Sequence, residues 1–423
     1  MSTPSLWNHS DFLKLWTGQT ISRFGSVVTR TALPLVALLV LDAGPIQLAI
    51  LVIAQSVAVL VVGLVAGAWV DRLRRRPILI GTDVLRALLL FSIPIAQGLG
   101  ALRLEQLYVV AFLEGALATL FSSAYPAYVP SLIGVERVVE GNSKLAMSAS
   151  IAEVGGPGLA GALVQIVSAP FALLVDAVSY IVSAISIALI RAPEPARPQR
   201  EATSRIFGEV IEGLSAVRRH PVVLPLASRS VLGHIAGAFY GVLYSIYLLR
   251  ELHLDPFLLG VVISAGGVGS LIGSVFASRV VNKIGLGPAV LWMALGSSAI
   301  GVLTPLAQGP VFLATLMVFL PQLIGDGLQT IEGVAEISLV QGLIPDRILG
   351  RANATLEVVS HGIGYPIGAL IAAAIAESIG IRAAIAVGWA GMALSLLFIV
   401  FSPIPRVRTP ESWLARGDAP TPV

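Results

Sequence analysis

The stretch GAWVDRLRRRP, from Gly67 to Pro77, concentrates charge in a chain that otherwise avoids it. Five of the six residues at 71–76 are charged, whereas the twenty-five residues at 46–70 carry no charge. Another apolar run follows Pro77. A short basic loop between two long apolar segments is typical of a polytopic membrane protein, in which such loops stay on the cytoplasmic side.

The composition indicates a chain that spends most of its length in a lipid bilayer. Of its 423 residues, 56% are hydrophobic and only 12% are charged, and the mean hydropathy is +0.88. A soluble domain usually carries about 25% charged residues. Uncharged runs such as 288–325 are too long to bury in one globular core, whereas about 20 apolar residues suffice to span a bilayer.

The same composition argues against several classes of functional site. The chain has no cysteine, which removes disulfides, thiol nucleophiles and cysteine-ligated zinc sites. Its five histidines show no metal-ligand spacing, and the net charge of +3 comes without a nucleic-acid-binding motif. No P-loop pattern GxxxxGK[ST] is present, and the stretch SAGGVGSLIGS at 264–274 predicts close helix packing. We therefore expect no enzyme activity, cofactor, metal or nucleic-acid partner.

Charged and Pro/Gly-rich breaks divide the chain into about twelve apolar segments of membrane-spanning length. The predicted fold class is an all-α polytopic membrane protein. The predicted spans are residues 13–40, 47–70, 77–98, 106–129, 146–167, 171–190, 222–249, 257–279, 288–307, 311–343, 353–376 and 383–402. The tenth is too long for one straight helix, which predicts a kink near Pro321 or an extension beyond the membrane surface.

Lysine and arginine are distributed unequally between the loops on the two sides of the predicted membrane. Twenty of the 27 basic residues fall in alternate loops and the two termini, three fall in the opposite loops, and four lie inside spans. Short loops rich in Lys and Arg stay in the cytoplasm. We therefore expect both termini in the cytoplasm and the protein in the bacterial inner membrane. The N-terminus lacks the layout of a cleaved signal, so the first span is expected to remain.

The predicted spans fall into two groups of six. Residues 1–190 form the first predicted bundle, 191–221 a cytoplasmic linker with an amphipathic helix, 222–402 the second bundle and 403–423 a cytoplasmic tail. The segments YVPSLIGVERVVEGNSKLAMSASIAEVGGP and LVQGLIPDRILGRANATLEVVSHGIGYP occupy matching places in the two halves. Matched halves with sites near the bilayer midplane are typical of secondary transporters. We expect a monomer.

The charged loop and several other motifs resemble the major facilitator superfamily. The loop motif of that family, Gly-x-x-x-Asp-Arg-x-Gly-Arg-Arg, is matched by Gly67, Asp71, Arg72, Arg75 and Arg76, with Arg74 in place of the second glycine. The pieces LWTGQTIS, TDVLRALLL, YVPSLI, DAVSYIVSAISIALIRAP, GEVIEGLSAVRRHP and IPDRILGRANA resemble, in this order, the branch with macrolide efflux proteins and the enterobactin exporter. The resemblance covers essentially the whole chain. It implies two pseudo-symmetric six-helix bundles.

The resemblance also implies roles for the loop and for a motif in the fifth span. In such transporters the loop aspartate, here Asp71, contacts the N-terminus of the eleventh helix near residues 350–353 and locks the inner gate. A helix dipole favours such a contact by about 0.3–1 kcal/mol. The alternative for the loop arginines is a role in orientation alone. Gly156, Pro157 and Gly161 match the Gly-Pro-x-x-Gly pattern of exporters, with ordinary small-residue packing as the alternative.

Charged residues inside spans are candidate transport residues, because each costs about 2.5–3.5 kcal/mol on insertion scales. The resemblance implies that the first, fourth, seventh and tenth helices line the central cavity, and the buried charges concentrate there. A carboxyl group in a low-dielectric cavity takes up and loses protons near neutral pH, so the predicted proton carriers are Asp326, then Glu114, then Glu332. Arg30 is predicted as a counter-charge or as the contact for an anionic substrate group. The alternative for each residue is a static salt bridge.

Other charges are expected to be structural. Asp83 and Arg86 lie three residues apart on one helix face and are predicted to pair with each other or with the loop. Glu357 and His361, four residues apart, are predicted to form a local pair, with a proton relay as the alternative. Asp176 lies in a motif of the sixth span and is expected to serve structure.

These observations predict a secondary active transporter with alternating access. The predicted activity is proton-coupled efflux of a small amphiphilic molecule, such as a drug or a siderophore-like compound, with protons and that molecule as the partners. Without a P-loop, energy has to come from an ion gradient or from the gradient of the substrate itself. One alternative is a facilitator or importer of the same fold. A second is a membrane receptor or lipid scramblase without coupled transport.

Overall fold

The structure is a computed structural model that describes residues 5–194, 218, 220–344, 349–350, 355–410 and 413, apart from the side chains of residues 64, 65, 67, 68, 71 and 72. The amphipathic helix predicted in the linker lies outside the described residues. The predicted contact between Asp71 and the start of the eleventh span also lies outside them.

Six long helices build the N-terminal part of the chain. They are α1 (Ser10–Leu39), α2 (Pro45–Arg72), α3 (Arg75–Gly98), α4 (Leu104–Ile133), α5 (Val138–Val167) and α6 (Ala169–Ala188). Helix α1 begins where the imidazole of His9 accepts a hydrogen bond from the Phe12 N–H at 3.1 Å. Helix α2 begins at Pro45, whose fixed φ and missing N–H suit the first position of a helix.

Six further helices follow, and three of them contain π-helical segments. They are α7 (Val223–Glu251), α8 (Pro256–Ile284), α9 (Leu286–Leu306), α10 (Val311–Leu343), α11 (Thr355–Ile379) and α12 (Ile381–Val400). The π-helical segments are Tyr247–Glu251 in α7, Pro321–Gly325 in α10 and Val358–Gly364 in α11. π-Helical segments are rare in proteins overall, and those that do occur are often found at functional sites.

The helices agree with the predicted spans. Within the described part of the chain, all regular elements are helical, and eleven of the helices are long and apolar enough to cross a membrane. Helix α1 is the twelfth long helix, with 30 residues. The predicted tenth span coincides with α10, and its predicted irregularity near Pro321 is the π-helical segment. The all-α, twelve-helix prediction is confirmed.

The helices belong to two compact units, residues 1–203 with 255–264 and residues 204–254 with 265–423. In the first unit α1 packs against α5 and α6, and α3 packs against α4. In the second unit α7 packs against α11 and α12, and α9 packs against α10. The two units therefore use the same pairings at positions six helices apart, as expected of a structural repeat.

Glycines bring α8 and α10 close together in the second unit. A Cβ atom on Gly269 would meet the carbonyl group of Leu323, and one on Gly273 would meet the carbonyl group of Gly327. Small residues allow such backbone approach between membrane helices. The close packing predicted for the Gly-rich stretch is therefore confirmed.

Single residues in an unusual backbone conformation connect the last two helices of each set. Ser168 joins α5 to α6 with φ 78° and ψ 160°, and Gly380 joins α11 to α12 with φ 93° and ψ 159°. This region is favourable for glycine but costs other residues about 1–3 kcal/mol. The two halves thus use the same turn, with a strained serine in the first half.

This asymmetry predicts opposite effects of two reciprocal substitutions. Ser168→Gly relieves the backbone strain and is expected to raise the free energy of unfolding by up to about 1 kcal/mol after the entropy cost of glycine. The thermal unfolding midpoint in detergent should rise accordingly. Gly380→Ser is expected to lower the midpoint. A Cβ atom at position 380 meets no atom within 4 Å, so the loss would come from the backbone alone. Equal midpoints for the three proteins would contradict the assigned turn.

Candidate functional site

A polar cavity of about 510 Å³ lies within the second unit. Helices α7, α9, α10, α11 and α12 contribute its walls. Its aromatic lining consists of His234, Tyr240, Tyr244, Tyr365 and Trp389. Glutamine, serine and threonine side chains contribute neutral polar groups, and Arg229, Asp326, Glu332 and Glu336 contribute charge. A cavity of this size, lined by aromatic rings and a limited number of polar and charged groups, is typical of a small-molecule site.

Glycine and proline make room for this cavity. Gly233 and Gly237 of α7 and Gly325 of α10 line the cavity without side chains of their own. Pro321, at the start of that segment, has no N–H for an intrahelical hydrogen bond. The regular α-helix resumes at Asp326, so the carboxyl group lies where the helix changes its winding.

Asp326 stands out in the cavity because no cation accompanies it. It is half-buried, and within the described part of the chain none of the ion pairs includes it. Its carboxyl group lies over Gly266 of α8, beside the side-chain amide of Gln322. A carboxylate removed from water without a partner is costly, so this group favours either a proton or a bound cation.

The other two cavity carboxylates share one guanidinium. Arg229 of α7 forms an ion pair with Glu332 and a second one with Glu336, at 3.4 Å. Glu332 is 3% exposed, so its contact with Arg229 is an interhelical salt bridge in the membrane interior. Glu332 thus forms the kind of salt bridge that the sequence analysis gave as the alternative to a role in carrying protons.

Two histidines from different helices contact each other beside the cavity. The rings of His234 in α7 and His361 in α11 are 4.2 Å apart between centroids. His234 donates through Nδ1 to the carbonyl oxygen of Ser230 at 2.7 Å. His361 Nδ1 lies 3.5 Å from a carboxylate oxygen of Glu357, which confirms the predicted local pair. No group of three metal-ligating side chains occurs among the described residues.

Arg30 and Glu114, predicted site residues of the N-terminal half, form ion pairs within the first unit. Arg30 pairs with Glu153 across α1 and α5. Glu114 of α4 pairs with Arg86 of α3 and accepts a hydrogen bond from Arg86 Nε at 3.1 Å. The predicted pairing of Arg86 with Asp83 is therefore wrong, because the guanidinium extends to the neighbouring helix rather than along its own.

The part of the charged loop with described side chains fixes the start of α3. The backbone N–H groups of Arg75 and Arg76 donate to the carboxylate of Glu194 at 2.7 and 3.3 Å. The Arg75 guanidinium donates to the carbonyl of Ala127, and that of Arg76 to the carbonyl of Ala188 at 2.6 Å. Both arginines therefore bind helix carbonyl groups. The side chains of Asp71 and Arg72 lie outside the described part of the structure.

Glu194 was not anticipated from the sequence. It lies six residues after α6, in the proline-rich segment RAPEP, where a lone glutamate gives no periodic signal. Its carboxylate occupies the N-terminus of α3, where the helix dipole and free N–H groups favour negative charge. The only available signal was its position between two prolines near the end of a predicted span.

The Gly-Pro motif of α5 lies in tight helix contacts. A Cβ atom on Gly156 would collide with the side chain of Val27 in α1, and one on Gly161 would collide with the backbone of α8 at Pro256 and Gly260. The α-helix continues through Pro157. The motif residues are therefore in close packing contacts.

Twelve long helices with repeated pairings, together with an acid-lined polar cavity, define the architecture of a secondary transporter. The chain belongs to the Major Facilitator Superfamily, because the family model of that description matches residues 15–355 and 230–422. Transporters of this family act on small-molecule substrates.

Relatives and solved structures agree with this assignment. The chain is 25% identical to the uncharacterized MFS-type transporter YvqJ of Bacillus subtilis over 319 residues, which cover 73% of this chain and 72% of that protein. It is 24% identical to the multidrug efflux pump Tap of Mycolicibacterium fortuitum over 371 residues, 85% of this chain and 87% of that one.

Two solved structures have the same fold. One is a bacterial homologue of the iron transporter ferroportin in an inward-facing state, with TM-score 0.72, 20% identity, and coverage of 92% of this chain and 98% of that one. The other is the nucleoside transporter NupG, with TM-score 0.70, 12% identity, and coverage of 92% and 97%. At these identities the likeness concerns the fold alone.

The cavity ion pairs predict a compensated stability effect. Arg229→Met is expected to lower the free energy of unfolding by about 3–5 kcal/mol, because Glu332 is left buried without its cation. Adding Glu332→Gln should restore most of the loss. The matched control is Arg30→Met, whose pair has side-chain exposures of 62% and 52% and should contribute less than about 1 kcal/mol. Thermal unfolding in one detergent compares the three variants, and equal losses for Arg229→Met and Arg30→Met would contradict the assignment.

Proposed function

We propose that this protein is a proton-coupled exporter of small amphiphilic organic cations. The observation that carries the proposal is the half-buried Asp326, which faces an aromatic cavity and forms no ion pair with any residue that the structure describes. A proton and a cationic substrate would compete for this carboxylate. Glu332 and Glu114 are the second-rank carriers, because both are engaged with arginines.

The charge of the cavity supports a cation rather than an anion as the substrate. Three carboxyl groups, Asp326, Glu332 and Glu336, face a single guanidinium, that of Arg229. With all four groups ionised the cavity would hold a net negative charge, which attracts cations and repels anionic compounds. This balance disfavours a siderophore-like anion, and Arg30 pairs elsewhere, with Glu153.

The remaining lining suits an amphiphilic cation. Tyr240, Tyr244 and Trp389 offer aromatic faces, which attract cations and also bury apolar surface. Gln322 and Ser297 supply neutral hydrogen-bonding groups to the same cavity. Because none of these groups is restricted to one ligand geometry, the lining favours a class of compounds over a single one.

Alternating exposure of this cavity would convert competition into exchange. Facing the cytoplasm, Asp326 in its ionised form binds the cation. Facing the outside, Asp326 takes a proton, the attraction for the cation is lost, and the cation leaves. A ligand shifts a conformational equilibrium only through its different affinity for the two states, which the change of charge on Asp326 provides.

Export is the direction that the relatives and the sequence favour. Tap is described as a multidrug efflux pump and is 24% identical over most of both chains, and the motif Gly156, Pro157 and Gly161 resembles that of exporters. We also propose the bacterial inner membrane as the location, with both termini cytoplasmic, from the Lys/Arg asymmetry of the loops. The proposed bundles remain residues 1–190 and 222–402, and Asp71 remains the proposed gate contact.

Ethidium uptake by inverted membrane vesicles tests the proposal. Vesicles that contain the protein and acidify their lumen by respiration should accumulate ethidium, and a protonophore should abolish the accumulation. Asp326→Asn should reduce uptake to the level of vesicles without the protein, because the neutral amide neither exchanges a proton nor attracts a cation. Asp326→Glu keeps the carboxyl group and should retain part of the activity.

Two results would count against the proposal in different ways. Uptake that continues in the presence of the protonophore would refute proton coupling. Normal uptake by Asp326→Asn, at matched expression, would refute Asp326 as the carrier.

A further inference from the structure

A second set of buried charges lies in the first unit, whereas the residues that line the proposed substrate cavity belong to the second. It joins α3, α4 and α6 through Arg86, Glu114 and Tyr180, and it includes the buried acids Asp83 and Asp176. We name these five residues the N-terminal charge cluster. Neither the loop motif nor the proposed exchange at Asp326 accounts for it.

Arg86 and Glu114 form the centre of the cluster. Tyr180 donates a hydrogen bond to the same oxygen, Glu114 Oε1, at 3.3 Å, and its hydroxyl lies 3.0 Å from that of Ser26 in α1. The Arg86 guanidinium carbon lies 4.0 Å from the centroid of the Tyr180 ring. Arg86 is therefore fully engaged by Glu114 and by an aromatic face.

The two aspartates of the cluster have no comparable partners. Asp83 is 0% exposed, and neither of its carboxyl oxygens accepts a hydrogen bond of good geometry, although Ser183 lies beside it. Asp176 is also 0% exposed, and it accepts one hydrogen bond, from Ser179 at 2.8 Å; its second oxygen accepts no hydrogen bond of good geometry, although Thr29 lies beside it. Two ionised carboxylates in such places would each lack compensation.

The N-terminal charge cluster contains more carboxyl groups than guanidinium groups. Helix α3 contributes Asp83 and Arg86, α4 contributes Glu114, and α6 contributes Asp176 and Tyr180. Helix α1 faces them with the hydroxyl groups of Ser26 and Thr29. Three carboxyl groups therefore share one guanidinium, and Glu114 already holds it.

We propose that the N-terminal charge cluster is a proton-binding site, in which Asp83 and Asp176 hold protons while Glu114 is ionised and paired with Arg86. The site is independent of Asp326, which belongs to the other unit. It assigns a proton-holding role to Asp176, for which the sequence predicted a structural one. The protein would thus carry protons in both halves.

Glu114 provides the route by which Asp176 can lose its proton. Arg86 lies within electrostatic reach of both acids. If the guanidinium turns from Glu114 towards Asp176, the proton of Asp176 passes to the carboxylate of Glu114. One O–H bond breaks, another forms, and the charge of the cluster is unchanged. The side chain of Glu114 is 13% exposed, whereas Asp176 is completely buried, so exchange with water takes place at Glu114.

Infrared spectroscopy of the purified full-length protein at neutral pH tests the site without any substrate. A protonated carboxyl group has a C=O stretching band distinct from that of a carboxylate. Asp83→Asn and Asp176→Asn should each remove part of the protonated band, and the pair should remove more. The matched control is Asp42→Asn at an exposed position, which should leave the band unchanged.

A second measurement applies if the asparagine variants do not fold. Asp326→Asn protein is labelled with ¹³C at the aspartate side-chain carboxyl, which removes the contribution of Asp326. The protonated band should still shift on labelling, because Asp83 and Asp176 remain protonated. A band that does not respond to the label, or that survives intact in both asparagine variants, would overturn the proposal. The ethidium assay depends on Asp326 and not on this band, so the two proposals fail separately.

Discussion

Charge balance in a low-dielectric interior is the constraint on which this structure depends. In the described part of each unit, an arginine with little exposure pairs with an acid on another helix: Arg86 with Glu114 in the first unit, and Arg229 with Glu332 in the second. A charge inside a span costs about 2.5–3.5 kcal/mol on insertion scales, so an acid is retained there only with a cation or a proton. Each unit contains more acids than its arginine can compensate, and the excess defines the candidate sites.

The surroundings of the uncompensated acids differ between the two units. In α10 the irregular segment at Pro321–Gly325 precedes Asp326, and nearby glycines leave open space in front of it. In the first unit α6 is a regular helix, and the side chain of Asp176 is completely buried. The open space at Asp326 therefore suits a substrate as well as a proton. The completely buried Asp176 suits a proton alone, because a proton bound to a carboxyl group occupies almost no additional space.

Much of the fold could be predicted from the sequence because its determinants are local. Apolar length set the spans, the basic loop divided α2 from α3, and Pro321 located the irregularity of α10. The Glu357–His361 pair was predictable because its spacing of four residues lies on one helix face. These features depend on neighbouring residues and not on the rotation of one helix against another.

The partners of the buried charges could not be predicted, because they depend on how one helix is rotated and packed against another. Arg86 has Asp83 one turn away, yet it pairs with Glu114, 28 residues later, because the rotation of α3 points the guanidinium at α4. The pairing of Arg229 with Glu332 spans 103 positions, and the contact between His234 and His361 likewise joins separate helices. Glu194 caps α3 from a segment with no periodic pattern. Only the packed structure supplies these rotations and approaches.

The most direct test of the central claim is proton release on binding of a lipophilic cation. Tetraphenylphosphonium is added to the purified protein in weakly buffered detergent solution, and a pH-indicator dye follows the released protons. Competition at one carboxyl group predicts release from the wild-type protein, tighter binding as pH rises, and loss of both effects in Asp326→Asn. Binding without proton release, or release that is unchanged in Asp326→Asn, would contradict the account.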